Sequence, residues 1–130
     1  MGMLPRVLVV ADTPGWAWDR KGHAYVRHLG DRFSVTLAYQ TTGLPDLGSF
    51  DLVHLFEVAQ LQVVAGMERT WAPPFKVVAG LTANVWRTWG AERMHQWAAM
   101  VDAMHGNSPL LVEELRSFHP RIYYTPNGVD

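Results

Sequence analysis

The last quarter of the chain, residues 103–130, reads AMHGNSPLLVEELRSFHPRIYYTPNGVD and decides the fold. It predicts a strand at Ala103–Gly106, then a helix, then a short strand at Ile122–Thr125. Ser108 can cap the helix because its side chain accepts hydrogen bonds from first-turn amides, and Pro109 follows where a missing N–H costs nothing. The apolar face of this helix is predicted to comprise Leu111, Leu115 and Phe118.

The same alternation of strand and helix runs through the whole chain. Further strands are predicted at Arg6–Ala11, Phe33–Tyr39, Asp51–Glu57 and Phe75–Leu81. Helices are predicted from the apolar spacing of Trp18, Gly22, Tyr25, Val26 and Leu29, from Leu61 to about Arg69, and from the spacing of Met94, Trp97, Val101 and Met104. The Thr82–Thr88 segment is predicted to be a loop.

The order of the strands follows from the connections between them. Arg6–Ala11 is apolar without alternation, which is typical of a strand buried on both faces of a parallel sheet. The Gln40–Phe50 connection has no helical period, so the second and third strands are predicted to flank the first. The sequence therefore predicts a doubly wound, mainly parallel, Rossmann-like α/β sheet with helices on both faces and the strand order 2-1-3-4-5-6.

Composition excludes several classes of protein. The 130 residues suit one domain, and 48% hydrophobic against 18% charged residues predict a folded chain. A net charge of −1 gives no indication of a nucleic-acid partner. There is no cysteine, which excludes thiolate metal sites and fits a cytoplasmic protein. No apolar run approaches the ~20 residues of a membrane span, and the histidines lack zinc-site spacing, so we expect neither a membrane span nor a metal.

Three segments carry residues suited to chemistry at the carboxyl ends of the strands, where open α/β sheets bind ligands. In the loop Asp12–Trp16, Gly15 can let the backbone approach a phosphate, or the turn simply needs Pro and Gly. Glu57 ends the third predicted strand, where a carboxylate can contact an acceptor hydroxyl. Arg87 stands between Trp86 and Trp89, which can stack on a sugar or begin the next helix; both interpretations stay open.

The carboxyl-terminal motifs also resemble a known family. Asn107-Ser108 opening a helix, followed by a short strand and the Pro126–Asp130 stretch PNGVD, resembles the end of the N-terminal domain of family 4 glycosyltransferases, which have the two-domain GT-B architecture. Asp51 and His54 match a second family motif, although a histidine inside a buried strand is more often structural. The resemblance implies that residues 1–130 are the acceptor-side domain, that the C-terminal donor-binding domain is absent, and that the fragment alone is inactive.

The resemblance implies that the substrates are a nucleotide sugar and an acceptor molecule, with no cofactor. Gly15 matches the first of a pair of family glycines that face the donor diphosphate, and Glu57 stands at a position shared with some members, so we expect Gly15 to bind substrate and Glu57 to be the catalytic residue. The chemistry of their side chains adds Trp16, Thr82, Asn84, Arg87 and Asn127 as expected substrate-binding residues. The chain departs from the family pattern at three of its positions: Trp16 replaces a second glycine, Phe56 replaces a histidine, and Thr82 stands where several members have a histidine.

Two other functions fit the same sequence. The departures from the family pattern suit a non-catalytic sugar- or partner-binding module with the same fold. A receiver-type signalling domain has the right length, but it needs an acidic cluster after the first strand and an aspartate ending the third, where this chain has Asp12 and Glu57. A homo-oligomer formed through an exposed, tryptophan-bearing apolar face is also an expectation.

Overall fold

The computed structural model of the chain describes residues 3–65, 73–81 and 86–126. Six parallel strands form one sheet in the order 2-1-3-4-5-6, with helices in the connections. The strands are β1 (Arg6–Ala11), β2 (Ser34–Tyr39), β3 (Leu52–Leu55), β4 (Lys76–Leu81), β5 (Ala103–Gly106) and β6 (Ile122–Tyr124). The helices are α1 (Ala17–Leu29), α2 (Leu61–Val64), α3 (Trp86–Trp89), α4 (Ala91–Ala98) and α5 (Pro109–Leu115). The predicted Rossmann-like α/β fold and its strand order are confirmed.

The described residues group into two compact units. The first comprises residues 3–55 and 73–76, and the second comprises residues 56–65, 77–81 and 86–126. Within the three described ranges, no helix combines the length and apolarity needed to cross a membrane.

Strand β1 is the core of the first unit. Its residues from Leu8 to Ala11 are fully buried, and β1 pairs in parallel with β2 on one side and β3 on the other. Helix α1 packs closely on β2 at Gly22, where an added Cβ would collide with the side chain of Leu37. The predicted apolar face of α1 is wrong at Val26, whose side chain is 40% exposed.

The second unit contains most of β4 together with β5 and β6. Ser108 caps α5 as predicted, because its Oγ accepts a hydrogen bond from the Leu111 amide at 3.2 Å. Leu111 and Leu115 are buried, but the helix ends at Leu115, so Phe118 lies beyond it.

Several predicted boundaries are wrong, at the end of one strand and in the helices and turns. Strand β3 ends at Leu55, so Glu57 lies outside it and begins the 3-10 turn Val58–Gln60. Helix α3 occupies part of the segment predicted as a loop. Helix α4 ends at Ala98, and Met104 lies in β5 rather than in that helix. A second 3-10 turn, Leu47–Ser49, lies within the Gln40–Phe50 connection, in which no helical element was predicted. The end of the helix predicted to reach Arg69 lies outside the described residues.

Gly80 of β4 is expected to be intolerant of a side chain. A Cβ at this position would lie 2.5 Å from the Phe56 carbonyl oxygen and 2.6 Å from Cε1 of His105. We expect Gly80→Ala to lower the free energy of unfolding by about 1–3 kcal/mol through overpacking, measured by urea unfolding. Gly48→Ala is the control, because its Cβ would meet Asp46 at an ordinary 3.6 Å. Equal free energies of unfolding for Gly80→Ala and Gly48→Ala would show that Gly80 does not pack closely against Phe56 and His105.

Candidate functional site

The carboxylate of Asp19 organises the loop between β1 and α1 in the first unit. Asp19 lies in the first turn of α1 and is only 9% exposed. Its Oδ2 accepts a hydrogen bond from the backbone amide of Gly15 at 2.7 Å. Its Oδ1 accepts from the Tyr39 hydroxyl at the end of β2 and lies 3.1 Å from Nε2 of His23. One carboxylate therefore joins the loop, the helix and the neighbouring strand.

These contacts shift the titration of both partners. The hydrogen bond from Tyr39, and after it the one from the Gly15 amide, lower the pKa of Asp19 below its ordinary value. The same bond to Asp19 raises the pKa of Tyr39. Asp19 is therefore ionised and Tyr39 is protonated through the neutral pH range, so the pair presents a fixed negative charge beside the loop.

The loop exposes an aromatic ring while its own amides are already hydrogen-bonded. Gly15 has a φ of +88°, a conformation that only glycine adopts freely, and Trp16 beside it is 61% exposed. The amide of Thr13 donates to Oδ1 of Asp12 at 2.8 Å, as the Gly15 amide does to Asp19. A phosphate at this loop would have to displace a carboxylate from the Gly15 amide. Substrate binding by Gly15 and Trp16 stays a prediction.

Glu57 lies in the second unit at the start of the turn that follows β3. It is 7% exposed, and its backbone amide donates to Oε1 of Gln60 at 3.1 Å. Burial of the residue means that an acceptor hydroxyl has to reach into the turn to meet the carboxylate. The catalytic role of Glu57 stays a prediction.

Arg87 and Trp89 have partners within the second unit. The Arg87 guanidinium donates to Oε1 of Glu114 at 2.7 Å, which ties α3 to α5. The ring of Trp89 packs edge-on against Trp97 of α4, with ring centroids 5.1 Å apart. This contact favours the interpretation of Trp89 as part of the helix packing. Substrate binding by Arg87 stays a prediction.

Asp51 and His54, which support the family resemblance, make structural contacts in the first unit. Oδ2 of Asp51 accepts from the backbone amide of Arg6 at 2.8 Å, and this bond lowers the pKa of Asp51. Asp51 therefore joins the amino ends of β1 and β3, away from the carboxyl ends.

The ring of His54 packs edge-on against Tyr25, at 5.5 Å between centroids. The interpretation of His54 as a structural histidine agrees with this contact.

The structure describes four of the predicted site residues, two in each unit, and three others lie outside the residues that it describes. Gly15 and Trp16 lie side by side in the first unit, and Glu57 and Arg87 belong to the second. Thr82, Asn84 and Asn127 lie outside the described residues. Sequence reasoning missed Asp19 and Tyr39, although the four-residue spacing of Asp19 and His23 on a helix was a signal for a contact between them.

The described part of the chain contains no group of three or more His, Asp or Glu residues placed to hold a metal ion. Comparisons with protein-family models, with curated proteins and with solved structures found no match for this chain. The resemblance to family 4 glycosyltransferases therefore depends on the quoted motifs and on the fold, and it stays a prediction.

Replacing Asp19 with asparagine tests its control of the loop. Asp19→Asn keeps the shape but removes the charge, and hydrogen bonds to an ionised acceptor are the stronger kind. We expect amide hydrogen exchange at Gly15 to accelerate by about tenfold or more, measured residue by residue by NMR. Asp46→Asn is the matched control, because Asp46 caps the exposed 3-10 turn through the Gly48 amide. If the Gly15 amide exchanges at the same rate in Asp19→Asn as in the wild type, Asp19 does not hold the loop.

The hydroxyl of Tyr39 is expected to set the acid titration of Asp19. A lowered pKa means that the pair stabilises the fold above the ordinary pKa of aspartate, about 3.9, and that this stability is lost as the pH falls through the lowered value. The pKa of Tyr39 is raised. The stability that its hydroxyl contributes is therefore lost only as the pH rises through that raised pKa. In Tyr39→Phe, the pKa of Asp19 should rise toward the ordinary value, measured by carbon NMR of the carboxyl group.

Tyr124→Phe is the control for this titration, because Tyr124 is an exposed tyrosine of β6 in the other unit. The pKa of Asp19 should be the same in Tyr124→Phe and in the wild type. An Asp19 that titrates at one pH in all three proteins would show that the hydroxyl of Tyr39 has no influence on it.

Proposed function

We propose that this chain is the acceptor-side half of a glycosyltransferase that uses a nucleotide-sugar donor. The observation that carries the proposal is the exposed ring of Trp16 in the loop after β1, a loop whose Gly15 amide is hydrogen-bonded to the Asp19 of the Asp19–Tyr39 pair. The parallel sheet in the order 2-1-3-4-5-6 supports it, because sheets of this kind bind ligands at the carboxyl ends of their strands. The PNGVD motif at residues 126–130 supports it as well.

The chemistry around Trp16 suits a sugar. An indole ring offers a flat apolar face on which the C–H groups of a pyranose can stack, and carboxylates and hydroxyls hydrogen-bond the sugar hydroxyls. Asp12 stands in the same loop, and the hydroxyl of Thr41 donates to the Asp12 carbonyl at 3.1 Å, which joins the loop to the segment after β2. The loop therefore combines an exposed aromatic ring with oxygen acceptors held in place.

Glu57 is the proposed general base of the transfer. It would take the proton of the acceptor hydroxyl while that oxygen bonds to the anomeric carbon of the donor sugar. The bond from the anomeric carbon to the nucleoside diphosphate breaks, and the diphosphate leaves with the electron pair. Glu57→Gln is the informative variant, because glutamine keeps the size of the side chain and loses the basic carboxylate.

A non-catalytic sugar-binding module is the second candidate. It is favoured by the hydrogen bond from the Gly15 amide to Asp19, because a loop that contacts a donor diphosphate needs that amide. The two candidates differ in turnover. Joined to a donor-binding domain, a transferase half gives sugar transfer that Glu57→Gln abolishes, whereas a binding module gives none.

Sugar binding at Trp16 can be measured on the 130-residue chain itself. We expect saturation-transfer NMR with a panel of methyl glycosides to show contact with the protein, and Trp16→Ala to abolish most of it because the stacking surface is gone. Stacking between aromatic rings contributes about 0.5–1.5 kcal/mol beyond burial, and a similar contribution here means that affinity should fall by roughly twofold to tenfold. Tyr124→Ala is the control, because it removes an exposed aromatic ring of the other unit.

The isolated chain should bind a glycoside without transferring a sugar to it from any nucleotide sugar. Transfer by the chain alone would overturn the half-domain proposal. Equal glycoside binding by wild type and Trp16→Ala would overturn the placement of the acceptor.

A further inference from the structure

Strand β2 lies at one edge of the sheet that the described residues form, next to β1. The two strands pair in parallel without a bulge, from Ser34 to Tyr39 of β2. The amides of Ser34 and Gln40 donate to carbonyl oxygens in and next to β1, at 2.9 and 3.0 Å. Because the backbone groups of successive residues alternate between the two sides of a strand, the even-numbered residues of β2 bond to β1. The N–H and C=O groups of Val35 and Leu37 therefore point to the open edge.

This edge lacks the features that usually protect an edge strand. Among the described residues, no loop or side chain supplies hydrogen bonds to the outward groups of Val35 and Leu37. The turn after the strand reaches only its end, where the amide of Thr42 donates to the Tyr39 carbonyl at 3.2 Å. The strand reads SVTLAY, without a charged residue or a proline. Donors and acceptors in this spacing match an added β-strand.

Helix α1 leaves an apolar side chain beside the same edge. Gly22 of the helix packs on Leu37 of β2. Val26 follows one turn later on the same face of the helix, and its side chain is 40% exposed. A residue on the face that α1 turns to β2 can remain exposed where no further strand follows β2. The edge thus combines open backbone groups with an apolar border.

We propose that two copies of this chain associate through β2, antiparallel and edge to edge, about a two-fold axis at Thr36. Val35 of one copy then faces Leu37 of the second, and each such pair exchanges two backbone hydrogen bonds, because outward-pointing groups of antiparallel neighbours bond in this way. Residues that face each other in an antiparallel pair lie on the same face of the sheet. Val26 of each copy therefore lies on one common face of the joined sheet, beside the axis.

The sequence of the edge selects a second copy as the occupant. A two-fold interface places the same patch on both copies, so the patch has to be complementary to itself. An uncharged strand meets this condition, and at its ends Arg32 faces Gln40 and Asp31 faces Thr41 of the second copy, so no like charges oppose each other. The opposite edge strand, β6, is three residues long, and short edges pair less readily. The inference is independent of the proposed function.

Amide hydrogen exchange of the 130-residue chain, measured by NMR at several protein concentrations, tests the pairing. At low concentration the amides of Val35 and Leu37 should exchange fast, whereas those of Thr36 and Ala38, which bond to β1, should be protected. As the concentration rises, exchange at Val35 and Leu37 should slow by about tenfold or more, because the second copy accepts from these amides. Sedimentation equilibrium should show the mass rising to twice that of one chain.

A charge on the edge should abolish the pairing. Thr36 is exposed, and Thr36→Lys places two lysines opposite each other at the axis, so this variant should stay monomeric at every concentration. Tyr124→Lys is the control, because it puts the same charge on an exposed residue of β6 and should dimerise like the wild type. Amide spectra confirm that both variants fold.

The apolar border gives a second, milder variant. Val26→Ser should raise the dissociation constant of the dimer by about threefold or more, because less apolar surface is buried between the copies. Val63→Ser is the matched control, because Val63 of α2 is a valine of the other unit with a nearly equal exposure of 41%. It should leave the dissociation constant unchanged.

Three results would overturn the inference. The first is a chain that stays monomeric at the highest concentration, and the second is a dimer in which Val35 and Leu37 still exchange fast. The third is a dimer that Tyr124→Lys disrupts and Thr36→Lys does not, which would place the contact at β6. None of these results changes the expected glycoside contact at Trp16, so the proposed function is tested separately.

Discussion

Parallel pairing of β1 on both of its sides limits where the first unit can bind a ligand. Leu8 to Ala11 are apolar and buried between β2 and β3, so the strand itself offers no polar group. The first polar side chain after the strand is Asp12, and the parallel neighbour β2 ends at Tyr39 in register with Ala11. Any chemistry of this unit near β1 is therefore confined to the loop after the strand and to the residues that meet it.

The polar groups of that loop are largely used by the protein itself, and this changes what the loop can recognise. A glycine with a left-handed backbone at a helix start is the usual means of presenting amides to a phosphate. Here the carboxylate of Asp19 takes the place that an anion would occupy, and a second carboxylate, Asp12, takes the amide of Thr13. What remains accessible is the ring of Trp16 and oxygen acceptors, which suit hydroxyl groups better than phosphate oxygens.

The sequence was sufficient for the sheet and insufficient for the site, for physical reasons that particular residues make clear. The bounds of β1 were predicted to the residue, because an apolar run that stops at Asp12 is a local signal. The end of β3 was not, because Phe56 continues the apolar run up to the turn that Glu57 and Gln60 cap. Asp19 looked like an ordinary first-turn acid, and its importance comes from Tyr39, twenty residues away, which no local pattern connects to it.

The same limit applies to the histidines, and there the structure adds information that no sequence motif carries. His105 and His119 are chemically identical residues in one unit, and no motif or spacing in the sequence distinguishes their environments. A backbone amide donates to Nδ1 of His119, whereas Nδ1 of His105 lies 3.0 Å from the hydroxyl of Thr125. His119 thereby satisfies both of its nitrogens with backbone groups and closes a turn. His105 instead places Nδ1 beside the side chain of Thr125, so the two histidines differ in the kind of group that orients them although no pattern in the sequence separates them.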